Sequence, residues 1–152
     1  NKEMMRKINN SLSANLIVLA IIIIFNSCVE PPEYEDGLLE NIPAIINEND
    51  YFSFTINAKD HVINESWGLL FDADSTDTLI ISLVVKNFNS LVTDSTLIRL
   101  YNENNNVISN IPIIGNVTEV SSTPLEMIEN PKKFEFLSNK LSGFVDFQLI
   151  KQ

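Results

Sequence analysis

The chain has 152 residues, enough for one domain and a leader segment. With 45% hydrophobic and 20% charged residues it is neither a disordered polyelectrolyte nor a multi-span membrane protein. Twenty acidic against ten basic residues give a net charge of −10, and no basic run exceeds Lys132-Lys133, which excludes a nucleic-acid partner from the expectations; a single cysteine and a single histidine leave no intrachain disulfide, no cysteine zinc cage and no histidine-rich metal site.

The first segment reads as a secretory signal peptide. Lys2, Arg6 and Lys7 flank it with positive charge, and Leu16–Phe25 (LIVLAIIIIF) follows as an unbroken apolar run. As a helix that run spans about 15 Å, half the thickness of a bilayer's hydrocarbon, so it is too short for a permanent span. The charged, apolar, small-residue order is that of a cleaved leader over 1–27.

The only cysteine follows at once. Phe25-Asn26-Ser27-Cys28 resembles a bacterial lipobox, with Asn26 departing from the usual Ala or Ser. The resemblance to bacterial lipoproteins implies cleavage before Cys28 and a diacylglyceryl thioether on it, usually with a further N-acyl chain, palmitate being among the acyl groups. Two or more chains hold a protein on a membrane stably, whereas one gives marginal binding.

Val29–Gly37 (VEPPEYEDG) reads as an extended tether, because Pro31-Pro32 favours polyproline II and the neighbouring carboxylates repel one another. The stretch 28–42 is thus assigned to anchor and tether. Its acids Glu30, Glu33, Glu35 and Asp36 resemble the patch that marks Bacteroidota lipoproteins for export to the outer face of the outer membrane, so the resemblance implies a lipid-anchored protein at the cell surface.

From 43 to 152 a period of two dominates, and the expectation is an all-β domain, an antiparallel β-sandwich of about seven to eight strands, with a small closed barrel as the other option. In Tyr51–Ala58, Phe52, Phe54, Ile56 and Ala58 share one face. Trp67, Leu69 and Phe71 repeat the spacing, and Thr78–Phe88 is the longest run, its second face mixed in character. Ser95–Asn102 and Val107–Ile114 read as a hairpin around an Asn-rich turn, with Pro112 placing the second strand at an edge. Lys133–Leu137 and Gly143–Ile150 read as a second pair. One short connecting helix is expected after Thr123, where Thr123, Pro124 and Glu126 form a capping box, ending by Asn130 before Pro131. The hairpin TLIRLYNENNNVI and the strand GFVDFQLI are similar to secreted pre-peptidase-type and jelly-roll modules, a similarity that carries no site.

Chemistry-bearing positions are few. Asp72, Asp74 and Asp77 offer three carboxylates that could supply oxygen to Ca²⁺, although Asp, Ser and Thr are equally what a surface turn uses, and an EF-hand is excluded because Asp77 and Leu83 stand where Gly and Glu are required. Asp74-Ser75-Thr76, Asp77-Thr78-Leu79 and Asp94-Ser95-Thr96 are similar to the Bacteroidota O-glycosylation pattern, which implies Ser75, Thr78 and Ser95 as acceptors. Trp67 is expected in the core, and Tyr101, on one face with Arg99, is the better candidate for an exposed sugar platform. His61 reads as a turn residue. No nucleophile elbow, phosphate loop or zinc-protease motif is present, so no enzyme is expected and no cofactor beyond the covalent lipid. The expected role is a non-catalytic binding or assembly module, held to the membrane by its lipid and meeting a glycan or an outer-membrane protein. The other reading is a periplasm-facing accessory subunit of an outer-membrane complex.

Overall fold

The structure, a computed structural model, describes residues 37–91, 95–124 and 129–152. All of them belong to one unit, Tyr34–Gln152. They form seven strands: β1 (Ala44–Asn47), β2 (Tyr51–Gly68), β3 (Thr78–Lys86), β4 (Thr96–Tyr101), β5 (Val107–Ile113), β6 (Val117–Pro124) and β7 (Lys133–Lys151). Every pairing between these strands is antiparallel.

The architecture turns on the two long strands. β2 and β7 run side by side along their whole length, from Tyr51 opposite Ile150 to Gly68 opposite Lys133. A straight strand would separate residues thirteen apart by about 43 Å. Yet Phe54 and Trp67, both on β2, have ring centroids 5.4 Å apart, and Phe134 and Phe147, both on β7, are 5.1 Å apart. The ribbon is therefore folded over on itself, with one half facing the other.

The corner lies where the register slips between Ala58, His61 and Ile63. Asp60 (φ 46°), Lys140 (φ 63°) and Gly143 (φ 135°) take positive φ there, as the bend demands. Ser138 fastens it from inside, its hydroxyl donating to the His61 carbonyl at 3.2 Å and accepting from the Leu141 amide at 3.0 Å.

On one side of the corner the order is β1, first half of β2, second half of β7, β3, β6; on the other it is second half of β2, first half of β7, β4, β5. The two inner faces make a sandwich-like core. Phe52, Phe54, Phe134, Phe136 and Phe147 are fully buried between them, with Ile56, Ile98, Leu141 and Leu149. The alternation of Phe52, Phe54, Ile56 and Ala58 thus does what periodicity indicated, sending one face inward.

Four local expectations differ from the structure. Lys133–Leu137 and Gly143–Ile150 are not a hairpin but the two halves of β7, each paired with β2, because Asn139 and Lys140 make a bend and not a reversal. Tyr51–Ala58 and the segment at Trp67 are likewise one strand. The capping box does not start a helix at Thr123: Thr123 and Pro124 close β6, opposite Leu79 and Thr78. A two-turn helix is marginal without packing, and the ladder to β3 is the stronger competitor; residues 125–128 of that expectation lie outside the described residues. Finally, the domain begins earlier than residue 43. Glu40 bridges to Asn57, and the Asn41 side chain accepts from the Lys59 amide at 2.7 Å.

Pro112 sits where an edge was expected. Among the described residues β5 pairs only with β4, and Pro112 lies opposite Leu97.

Candidate functional site

The anchor and export residues, Cys28, Glu30, Glu33, Glu35 and Asp36, lie outside the described residues. Two other regions carry polar chemistry.

The acidic turn before β3 is ordered by its own side chains. The Asp74 carboxylate accepts from the Thr76 amide (2.8 Å) and hydroxyl, and the Asp77 carboxylate accepts from the Asp74 amide at 2.8 Å. Two ammonium groups lie beside the turn. Lys132 donates to the Phe71 carbonyl (2.9 Å) and lies 3.5 Å from Asp72; Lys151 donates to the Asp72 carbonyl (2.8 Å) and lies 3.8 Å from Asp77. Asp72, Asp74 and Asp77 are thus spread over separate partners. Among the described residues no three His, Cys, Asp or Glu side chains form a group that could hold a metal ion.

The hydrogen bond from the Thr76 hydroxyl, followed by that from its amide, holds the Asp74 carboxyl below its ordinary pKa. A depressed carboxyl stabilises the fold above its unfolded pKa, and that contribution is lost as pH falls through the folded value. Replacing Thr76 with Val is expected to raise the Asp74 titration toward the ordinary range, read by carboxyl NMR shifts.

Of the proposed sugar acceptors, Ser75 is exposed at the tip of this turn and Ser95 is exposed just before β4, whereas Thr78 is half-buried and its backbone is paired with Gln152.

The outer face of the second half-sheet carries the other cluster. Arg99 and Tyr101 alternate on β4 with the buried Ile98 and Leu100, and Glu135 on β7 lies opposite Arg99. The Tyr101 hydroxyl donates to Glu135 Oε2 at 2.6 Å, and Arg99 donates to the same oxygen at 3.4 Å and to Asn110 Oδ1 on β5 at 3.2 Å. Lys133 holds its ammonium 4.0 Å from the Tyr101 ring centroid and donates to Asn105 in the turn beyond. Tyr101 is thus half-exposed but capped on one face by Lys133.

The Glu135 carboxylate, first as hydrogen-bond acceptor and then with the help of burial, raises the Tyr101 pKa above its ordinary value. For a phenol the raised value favours the neutral folded form, so this contribution is complete below the unfolded pKa and is lost as pH rises through the folded one. Glu135→Gln should bring the phenol's ultraviolet titration back toward normal.

Trp67 packs against the core, with Phe54 at 5.4 Å and Phe134 at 5.8 Å, as its spacing indicated. His61 sits at the corner of β2 and is half-buried, its carbonyl accepting from Ser138.

Sequence reasoning did not find Glu135 as partner of Tyr101, although its alternation with Phe134 and Phe136 places it outward. It also missed β6 and the fork that β5 and β6 form.

No family model and no curated protein sequence matches the chain. Among solved structures it is similar to the pilus structure described as Bacillus endospore appendages that form a family of disulfide-linked pili, at 10% identity over 78% of this chain and 96% of that one, with TM-score 0.41. It is also similar to the enzymatically active domain of bacteriophage CBA120 tailspike protein 4 (12% identity, 76% of this chain, 18% of that one, TM-score 0.33). A third likeness is to infectious bursal disease virus, Gx strain (14% identity, 80% of this chain, 35% of that one, TM-score 0.31). At these levels the likenesses carry no argument about function.

Proposed function

We propose that the chain is an exported lipoprotein, anchored in the outer membrane through acyl chains on Cys28 and displayed on the extracellular face, whose β-sandwich is a non-catalytic binding or assembly module. The observation that carries this reading is the order of the leader: a basic flank, the apolar run Leu16–Phe25, then Phe25-Asn26-Ser27-Cys28 and an acidic, proline-containing stretch. Among the described residues no helix is long and apolar enough to cross a membrane. The acyl chains set location, the acidic stretch gives reach, and the domain meets a glycan or a membrane protein.

The test is protease shaving of intact cells. Wild-type protein should be cleaved from the surface, Cys28→Ala should leave the membrane fraction, and a tether neutralised at Glu30, Glu33, Glu35 and Asp36 should become protected from protease. Protection of the wild type until the outer membrane is broken would favour the second reading, a periplasm-facing accessory subunit. The free edges of β5 and β6, with Val120 and Ile114 exposed beside them, support that reading's need for a protein-docking surface.

A further inference from the structure

β5 and β6 are consecutive strands, joined by Ile114-Gly115-Asn116, yet they do not pair. β5 pairs with β4 on one half-sheet and β6 with β3 on the other, so the two arms splay like a fork. The root of the fork is fixed. Ile113 is buried, Val117 packs against the core, and Asn116 Oδ1 accepts from the Phe88 amide at 2.8 Å. Between the arms lies a cleft of about 160 Å³, lined by Ile81 and Leu83 of β3, Ser109 and Ile111 of β5, and Glu119 and Ser121 of β6. Along β3, Leu79, Leu83 and Val85 are buried while Ile81, on the same face, stays half-exposed to this cleft. Among the described residues the core is therefore open on one side, where two unpaired strand edges flank an apolar floor.

From this geometry we infer that β6 receives an extended strand from a partner protein, which lies along its free edge, turns alternate apolar side chains toward Ile111 of the facing β5 at the mouth of the cleft, and sets a Lys or Arg against Glu119. This rests on the reading of the domain as a binding or assembly module and gives that module its partner chemistry.

Three features choose the occupant. Main-chain groups along an unpaired edge are satisfied by another strand, the basis of recognition by strand addition. β6 is the receptive arm because its only proline, Pro124, is its last residue, whereas Pro112 removes a backbone donor inside β5, one residue before its end. Glu119 is the only ionisable residue lining the cleft, so a cationic side chain complements it. A second copy of this chain fits poorly: it is itself acidic, and joining two β6 edges would bring two Glu119 carboxylates together with no cation among the lining residues.

The test uses the full chain in detergent with three synthetic peptides of about eight residues, a typical strand length, alternating valine and threonine. One carries a central lysine, one a central glutamate, and one the lysine on an N-methylated backbone that cannot donate hydrogen bonds. The lysine peptide should bind and protect β6 amides from hydrogen exchange, and the methylated peptide should not. Glu119→Gln, at an exposed position, should weaken the lysine peptide about fivefold and remove its advantage over the glutamate peptide. Equal binding of the methylated peptide, protection elsewhere than β6, no binding at millimolar peptide, or self-association of the chain through β6 would each overturn the proposal. None of these outcomes bears on the lipid anchor, which cell shaving decides separately.

Discussion

Phe134→Ala is expected to destabilise the domain by about 3–5 kcal/mol, the largest effect of any single truncation in the core, measured as the shift in urea unfolding midpoint at constant slope. Its ring touches four others: Phe52 at 4.9 Å, Phe54 at 5.2 Å, Trp67 at 5.8 Å and Phe147 at 5.1 Å. Those neighbours come from both halves of β2 and from the far half of β7, so the side chain joins the two layers. Truncation removes the buried ring and leaves a cavity that strands pinned on both sides cannot close. Tilted aromatic pairs add about 0.5–1.5 kcal/mol beyond area burial, which Phe134→Leu would lose while keeping most of the apolar volume. A loss near that smaller figure for leucine and the full loss for alanine would separate packing from ring geometry. Phe144, half-buried on the outer face, is the contrast, with an expected loss of about 1 kcal/mol on truncation.

Gly143→Ala is the second large effect. A Cβ at this position would lie 2.9 Å from the Lys86 carbonyl oxygen, 3.0 Å from that of Asn87 and 3.1 Å from Phe88 Cα, all of them backbone. No side chain can swing aside to relieve this, and the φ of +135° is a conformation that residues with a Cβ rarely adopt. Collision and strain together should cost about 3 kcal/mol or more. Gly68→Ala is the matched control, because a Cβ there meets nothing within 4 Å and its backbone is extended. It should change the unfolding free energy by less than about 0.5 kcal/mol. Equal losses at the two glycines would remove the close approach of the β7 corner to the end of β3 as the cause.

The sequence showed the fold class through residues whose burial follows from local alternation. Phe52 to Ala58, Leu79 to Val85 and Val145 to Leu149 carry their inward faces in plain period-two order. The length of β2 and β7 was hidden, because Lys59-Asp60 and Asn139-Lys140 have the chemistry of turns whether the chain reverses or only bends. Which of the two occurs depends on pairing with a strand far away in sequence. β6 was hidden for the opposite reason. An edge strand buries little, so VTEVSSTP needs no apolar alternation and resembles a loop. The shared face of Arg99 and Tyr101 was legible from spacing, but the carboxylate that joins them, 34 residues beyond Tyr101, was not. The cleft between β5 and β6 could not be read at all, because it arises from two neighbours in sequence choosing different sheets.

The place of β7 also governs when the domain can form. It is the last strand in chain order and stands between β2 and β3 in one half and between β2 and β4 in the other. Before it is made, the earlier strands can offer only the pairs β1–β2, β4–β5 and β3–β6, and isolated two-stranded pieces are marginal in water. Assembly then waits for contacts as distant as Tyr51 with Ile150, the kind of non-local pairing that slows folding to milliseconds or longer. A chain emerging from the ribosome in sequence order would stay loose until β7 appeared. β7 is then the element that draws both layers together.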